Sequence, residues 1–161
     1  MSLEQDLRNY LVQANTPAGN QIFFTTAPQT IGNTFITITL DKDDAQHTTQ
    51  AGPGHLTFAI LDVLCSVKGS DQYQQYVACK VLSDAVKGAL NNIGYNSTTG
   101  TAAWPAVVGN TTIYFLSIES ENERASSKGS YALPYQYQEG KGSGIQRISV
   151  PAAVNYWNPN N

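Results

Sequence analysis

The stretch Leu56–Asn92 limits the possible folds more than any other. Leu56–Ser66 (LTFAILDVLCS) is a near-continuous apolar run of strand length, rich in β-branched and aromatic residues. After Lys68-Gly69 breaks it, SDQYQQYVACKVLSDAVKGALNN has helical spacing, which predicts Val77, Leu82, Ala85, Val86 and Ala89 on one broad core face. Ser70 is the expected N-cap, Asp71 suits the positive end of the helix dipole, and Asn91-Asn92-Ile93-Gly94 can stop the helix. A strand this apolar belongs inside a sheet, and a helix with one apolar face belongs on it. Every other segment must be laid beside this pair.

Four more strands and one more helix are predicted. Ser2 with Gln5 three residues on forms a capping-box pattern, and Leu3, Leu7, Tyr10, Leu11 and Ala14 mark one face of a short helix ended by Asn15-Thr16-Pro17. Gln21–Thr25 is a brief strand. Asn33–Asp41 alternates, with Ile36, Ile38 and Leu40 opposite Thr37 and Thr39, and should pair with Leu56–Ser66 as an antiparallel hairpin. The 15 residues Asp41–His55 are expected to be its polar loop, and loops this long tend to be functional. Thr111–Glu119 is a strand with Ile113 and Phe115 on one side and Tyr114, Leu116 and Ile118 on the other. Ile145–Trp157 closes the chain, with Pro151 expected at a bulge or a sheet edge. Between them lie a Gly/Thr/Ser-rich excursion, Tyr95–Asn110, and a long polar segment, Glu121–Gly144. The order is α-β-β-β-α-β-β. That is one α+β domain over residues 1–161, with a mainly antiparallel small sheet packed by helices and carrying long loops.

Charge excludes several functions. The net charge is −3 and the nine basic residues are scattered singly, which argues against holding nucleic acid by phosphate neutralisation and against a polybasic membrane patch. No apolar run approaches a membrane span, and MSLEQDL has neither the basic start nor the apolar stretch of a secretion signal. Only 13% of residues are charged, against ~25% in an ordinary soluble domain. Such a surface suits a protein packed against neighbours, or an amide-rich monomer.

Catalytic and metal motifs are missing. His47 and His55 share one loop, while Cys65 and Cys79 fall at apolar positions on the predicted strand and helix and read as buried thiols rather than a disulfide or metal pair. Asp41, Asp43 and Asp44 resemble the start of a calcium loop, but the required Gly and bidentate Glu do not follow. Glu119, Glu121 and Glu123 alternate at a strand end as a solvated rim rather than a glycosidase pair. Gly140–Gly144 (GKGSG) lacks phosphate-loop order. Asp62, inside the apolar strand, is expected on the polar side of the sheet. No cofactor, metal or catalytic residue is predicted. Trp104, Tyr131, Tyr135, Tyr137, Tyr156 and Trp157 lie in or beside loops, where exposed aromatics suit a protein interface or a sugar-binding surface.

Several strings together resemble the tail terminator (tail completion) proteins of long-tailed bacteriophages. MSLEQDLRNYL is similar to that family's N-terminal helix, and QIFFTTAPQTIGNTFITITL to its paired strands around an APQ-type turn. LDVLCSVKGSDQYQQYVACKVLSDAVKGAL resembles its strand and helix ending A-V-x-x-A-L, here Ala85–Leu90. SIESENERASS and IQRISVPAAVNYW are similar to its acidic loop and closing strand. The excursions Tyr95–Asn110 and Tyr131–Gly144 are longer than the family pattern.

The resemblance implies a non-enzymatic virion protein, assembled in the host cytoplasm and located at the tail end or neck. It would form a homohexameric ring on the last ring of major tail tube protein, stop tube polymerisation and present a surface to the head connector. Residues of the two long polar segments, Asp41, Asp43, Asp44, His47, His55, Glu121, Glu123, Arg124, Tyr131, Tyr135 and Tyr137, are the expected inter-ring contacts. Another neck or tail-tube ring subunit is the nearest alternative. A carbohydrate-binding module using Trp104 and Tyr131–Tyr137 is a more distant one.

Overall fold

The computed structural model describes residues 2–25, 32–46, 55–118, 136–138 and 144–159. Two helices, α1 (Leu3–Gln13) and α2 (Gln72–Asn91), pack on a seven-stranded sheet. Its strands are β1 (Ile22–Phe24), β2 (Thr34–Gln46), β3 (His55–Lys68), β6 (Ala106–Val108), β7 (Thr111–Ile118), β8 (Gln136–Gln138) and β9 (Ile145–Asn158). A separate two-stranded hairpin holds β4 (Tyr95–Asn96) and β5 (Thr101–Ala102). The order across the sheet is β1-β2-β3-β9-β7-β6, with β8 pairing β9 beyond the end of β7. Only β1 with β2 is parallel, so the fold is α+β with a mainly antiparallel sheet.

The predicted strand–helix unit forms the centre. Ala59, Leu61, Val63 and Cys65 of β3 are buried on one face, and β9 sets Ile148, Val150, Ala152, Val154 and Tyr156 beside them. Cys79, Leu82, Val86 and Leu90 of α2 cover that face, since residues three, four and seven apart share one side of a helix. The helix starts differently from expectation. Its N-cap is Asp71, whose Oδ1 accepts from the backbone N–H of Tyr73 (3.0 Å) and Gln74 (3.2 Å); Ser70 does not cap it.

The shorter helix closes the sheet. Leu3, Leu7 and Leu11, four apart, are fully buried, whereas Ala14 is the exposed C-cap. The capping box forms as the sequence predicts, with Ser2 Oγ accepting from Gln5 N and Gln5 Oε1 from Ser2 N. α1 packs against β1 and β2 at one sheet edge and against β6 at the other, so the curled sheet is bridged by a single helix. Polar tethers reinforce the bridge. Arg8 Nε donates to Ile22 O (2.9 Å) on the β1 side, Asp6 accepts from the β6–β7 turn, and Tyr10 Oη donates to Ala89 O of α2 (2.6 Å).

Three expectations about strands need correction. β2 runs on through Gln46 and β3 begins at His55, so residues 41–46 and His55 of the predicted 15-residue loop are strand, and 47–54 lie outside the described residues. Cross-strand pairing holds the acidic stretch extended, with a bulge between Lys42 and Ala45 taking up the two aspartates. In β7 a register shift between Ile113 and Phe115 breaks the alternation, so Leu116 joins Ile113 in the core and Phe115 turns out. Pro151 lies in the central strand β9 opposite Asp62, not at an edge or bulge. It falls between the residues of β9 that pair β7 and those that pair β8, where a missing N–H costs the ladder least.

Candidate assembly surfaces

The long strands set the described sequence-predicted residues at two separate levels of the sheet. Asp41 lies level with Ile60 and Ala153, while Asp43, Asp44 and His55 lie farther along the β2–β3 arm. Tyr137 of β8 is level with Arg147, Ser66 and Phe35. Six residue steps along β3 separate the two levels, roughly 20 Å at strand rise. The structure thus separates the acidic arm from the tyrosine strand. His47, Glu121, Glu123, Arg124, Tyr131 and Tyr135 lie outside the described residues.

Near the arm's end of the sheet, the β6–β7 hairpin is locked to α1. Its two-residue loop is Gly109-Asn110, with Gly109 at φ 60°, the glycine-first pattern of a type II′ turn. Asp6 is buried over it, and its Oδ2 accepts from Asn110 N (3.1 Å) and Thr111 Oγ1 (2.7 Å). Asn158 at the end of β9 donates to the same Thr111 oxygen (2.7 Å). A Cβ on Gly109 would stand 2.2 Å from Asp6 Oδ1, so the turn must be glycine for two independent reasons.

At the other end, Gly144 N-terminal to β9 meets the β3–α2 turn. Gly69 N–H and Gln75 Nε2 both donate to Gly144 O. Gly144 itself has φ 68°, and a Cβ there would lie 2.8 Å from Gly69 O. The entry of β9 is thereby fixed against the start of α2.

Cys79 Sγ lies 3.2 Å from Cys65 O, and burial pushes its thiol up to about 12 and that of Cys65 well above the ordinary value. Both are free buried thiols, as the sequence reading has them. Half-buried Asp62 accepts from Ser149 Oγ on the sheet face away from the helices. Trp104 is not an open platform. It packs over Gly94, is joined to Pro105 by a cis peptide bond, and its ring centroid lies 6.2 Å from that of Phe115. Among the described residues no three His, Cys, Asp or Glu converge as metal ligands, and no helix is long and apolar enough to cross a membrane.

Two apolar surfaces were missed in the sequence reading. Tyr73 (70% exposed), Val77 (40%) and Val81 (54%) form a stripe at four-residue spacing on the outer side of α2. At 100° per residue this stripe lies opposite the core face, so Val77 does not belong with Leu82 and Val86 as predicted. The second surface is the β6–β7 edge, where Val107 (73%), Tyr114 (46%) and Phe115 (53%) stand out into solvent. The i, i+4, i+8 recurrence of Tyr73, Val77 and Val81 was visible in the sequence, but a second stripe on a helix already given a core face is easily absorbed into it. The β7 surface had no such signal, because it arises from the bulge.

No protein-family model and no curated protein matches the chain. Among solved structures, a chain from "Virion of native gene transfer agent (GTA) particle" is similar over 96% of this chain and 90% of its own length, at 14% identity and a TM-score of 0.55. A second solved chain aligns over 96% of both chains at 8% identity and a TM-score of 0.48. At such identities the first likeness shows a shared fold.

Proposed function

We propose that the chain is a structural virion protein of a phage-like particle. It forms a ring, hexameric by the tail-terminator resemblance, on the head-proximal end of a tail tube, stops tube growth and offers its other face to the head connector. The observation that carries the reading is the fold likeness to a chain of a gene transfer agent virion, which extends over 96% of this chain rather than over one motif. The separation of the two candidate contact regions agrees with it. A joining ring needs two different faces, and the acidic β2–β3 arm and the β8 region stand roughly 20 Å apart along the sheet. A surface with 13% charged residues also suits stacking against further rings.

The test is tube capping. Purified tail tubes mixed with the chain should stop elongating and carry it at one end only. Long stacks made of the chain itself would instead mark a tube subunit. Tubes that elongate unchanged, with no chain bound, would remove the proposed role.

A further inference from the structure

We infer that neighbouring copies of this chain join head to tail, with the outer stripe of α2 in one copy covered by the β6–β7 edge of the next. The inference rests on the ring reading above and supplies its lateral contact. The two surfaces share no residue. The stripe ends at Val81, ten residues before the last residue of α2, about 15 Å along the helix, while the other surface sits at a sheet edge. Together they hold six of the eight large hydrophobic side chains exposed among the described residues. Each offers three of them, and the exposed Lys80–Asp84 ion pair (3.6 Å) borders the α2 stripe at its Val81 end.

Two unlike patches decide the symmetry. An isologous pair would bury one patch against its own copy and leave the other wet. Joining unlike patches buries both, and such a heterologous contact repeats until it closes as a ring or runs on as a filament. The shapes are compatible. A helix ridge of residues four apart is a narrow row, and Phe115 beside Trp104 with Val107 on the adjoining edge strand gives a short apolar edge for it to meet.

Size sets the strength. Three side chains on each side remove on the order of 600 Å² from water, well below the ~1,600 Å² of a standard stable interface. One contact alone is therefore weak, and closure of the ring or a template beneath it must hold the copies together.

Engineered cysteines test the pairing directly, because buried Cys65 and Cys79 stay unreactive. Val81→Cys, Val107→Cys and the double variant are oxidised mildly at high protein concentration, both free and on tail tubes. Head-to-tail contact predicts a ladder of crosslinked oligomers from the double variant, at least tenfold above any product of either single variant. Efficient dimers from Val81→Cys alone would mean helix against helix and overturn the inference, as would no ladder in either setting. A ladder from the free chain without tube capping would spare the contact and sink the proposed role. Capping without a ladder on the tubes would do the reverse.

Discussion

Replacing Asp6 and Gly109 separately and together should reveal that one buried carboxylate holds the β6–β7 turn to α1. Asp6→Ala removes two hydrogen bonds to a carboxylate and leaves Asn110 N–H and the Thr111 hydroxyl without that acceptor. Hydrogen bonds to charged groups contribute ~1.5–3 kcal/mol each, and relief from burying the charge offsets part of that, so a loss of about 3 kcal/mol is expected. Gly109→Ala places a methyl at φ 60°, which costs ~1 kcal/mol by itself. The same methyl would stand 2.2 Å from Asp6 Oδ1 and must push the carboxylate off its donors, adding about 2 kcal/mol. With Asp6 already alanine there is nothing to displace, and Gly109→Ala should then cost only ~1 kcal/mol. Urea unfolding of the four proteins should give a coupling of about 2 kcal/mol between the sites. Additive losses, equal within ~0.5 kcal/mol, would refute the claim that Asp6 acts through this turn.

Other consequences follow from individual side chains. Asp71→Ala should cost ~1 kcal/mol by uncapping α2 while Ser70→Ala changes little, and thermal unfolding of both variants checks the assignment. Cys65 and Cys79 should resist alkylation in the native protein and react fully once it is unfolded. Because burial raises the Cys79 thiol from 9.0 to about 12, the folded state holds a proton that the unfolded chain releases. Stability is therefore intact below pH 9 and falls as pH rises toward 12, by about 1.4 kcal/mol per pH unit for the Cys79 thiol, with buried Cys65 acting in the same direction, as denaturation at stepped pH would register. Asp43→Asn with Asp44→Asn should leave the melting temperature unchanged and weaken tube capping. Unaltered capping would remove the acidic arm from the inter-ring contact.

Much of the fold was legible because the apolar pattern is strong where the core is. Ile36 and Ile38, the alternate residues Ala59–Cys65, and the four-residue spacing of Leu3, Leu7 and Leu11 each point to one buried face, and each is buried. The pattern fell silent where pairing rather than burial decides. Lys42, Asp43 and Asp44 carry no strand signal, yet β3 continues opposite and the ladder extends to Gln46. Gly94 and Trp104 gave no hint that they meet, although their contact fixes the excursion that follows α2. The candidate surfaces were harder still. Long polar segments draw attention in a sequence, but the exposed apolar groups lie on α2 and at the β7 bulge, where the sequence suggested a core. A helix with apolar residues on two sides needs a cover for each, and here the core takes one side and leaves Tyr73, Val77 and Val81 exposed on the other.

Imaging the ends of tail tubes saturated with this 17.4 kDa chain tests the central claim most directly. The account predicts a single six-membered ring at the head-proximal end of each tube, with the α2 stripe of every copy against the β6–β7 edge of its neighbour. Tubes lengthened by stacked copies of the chain, or ends that remain bare, would contradict it.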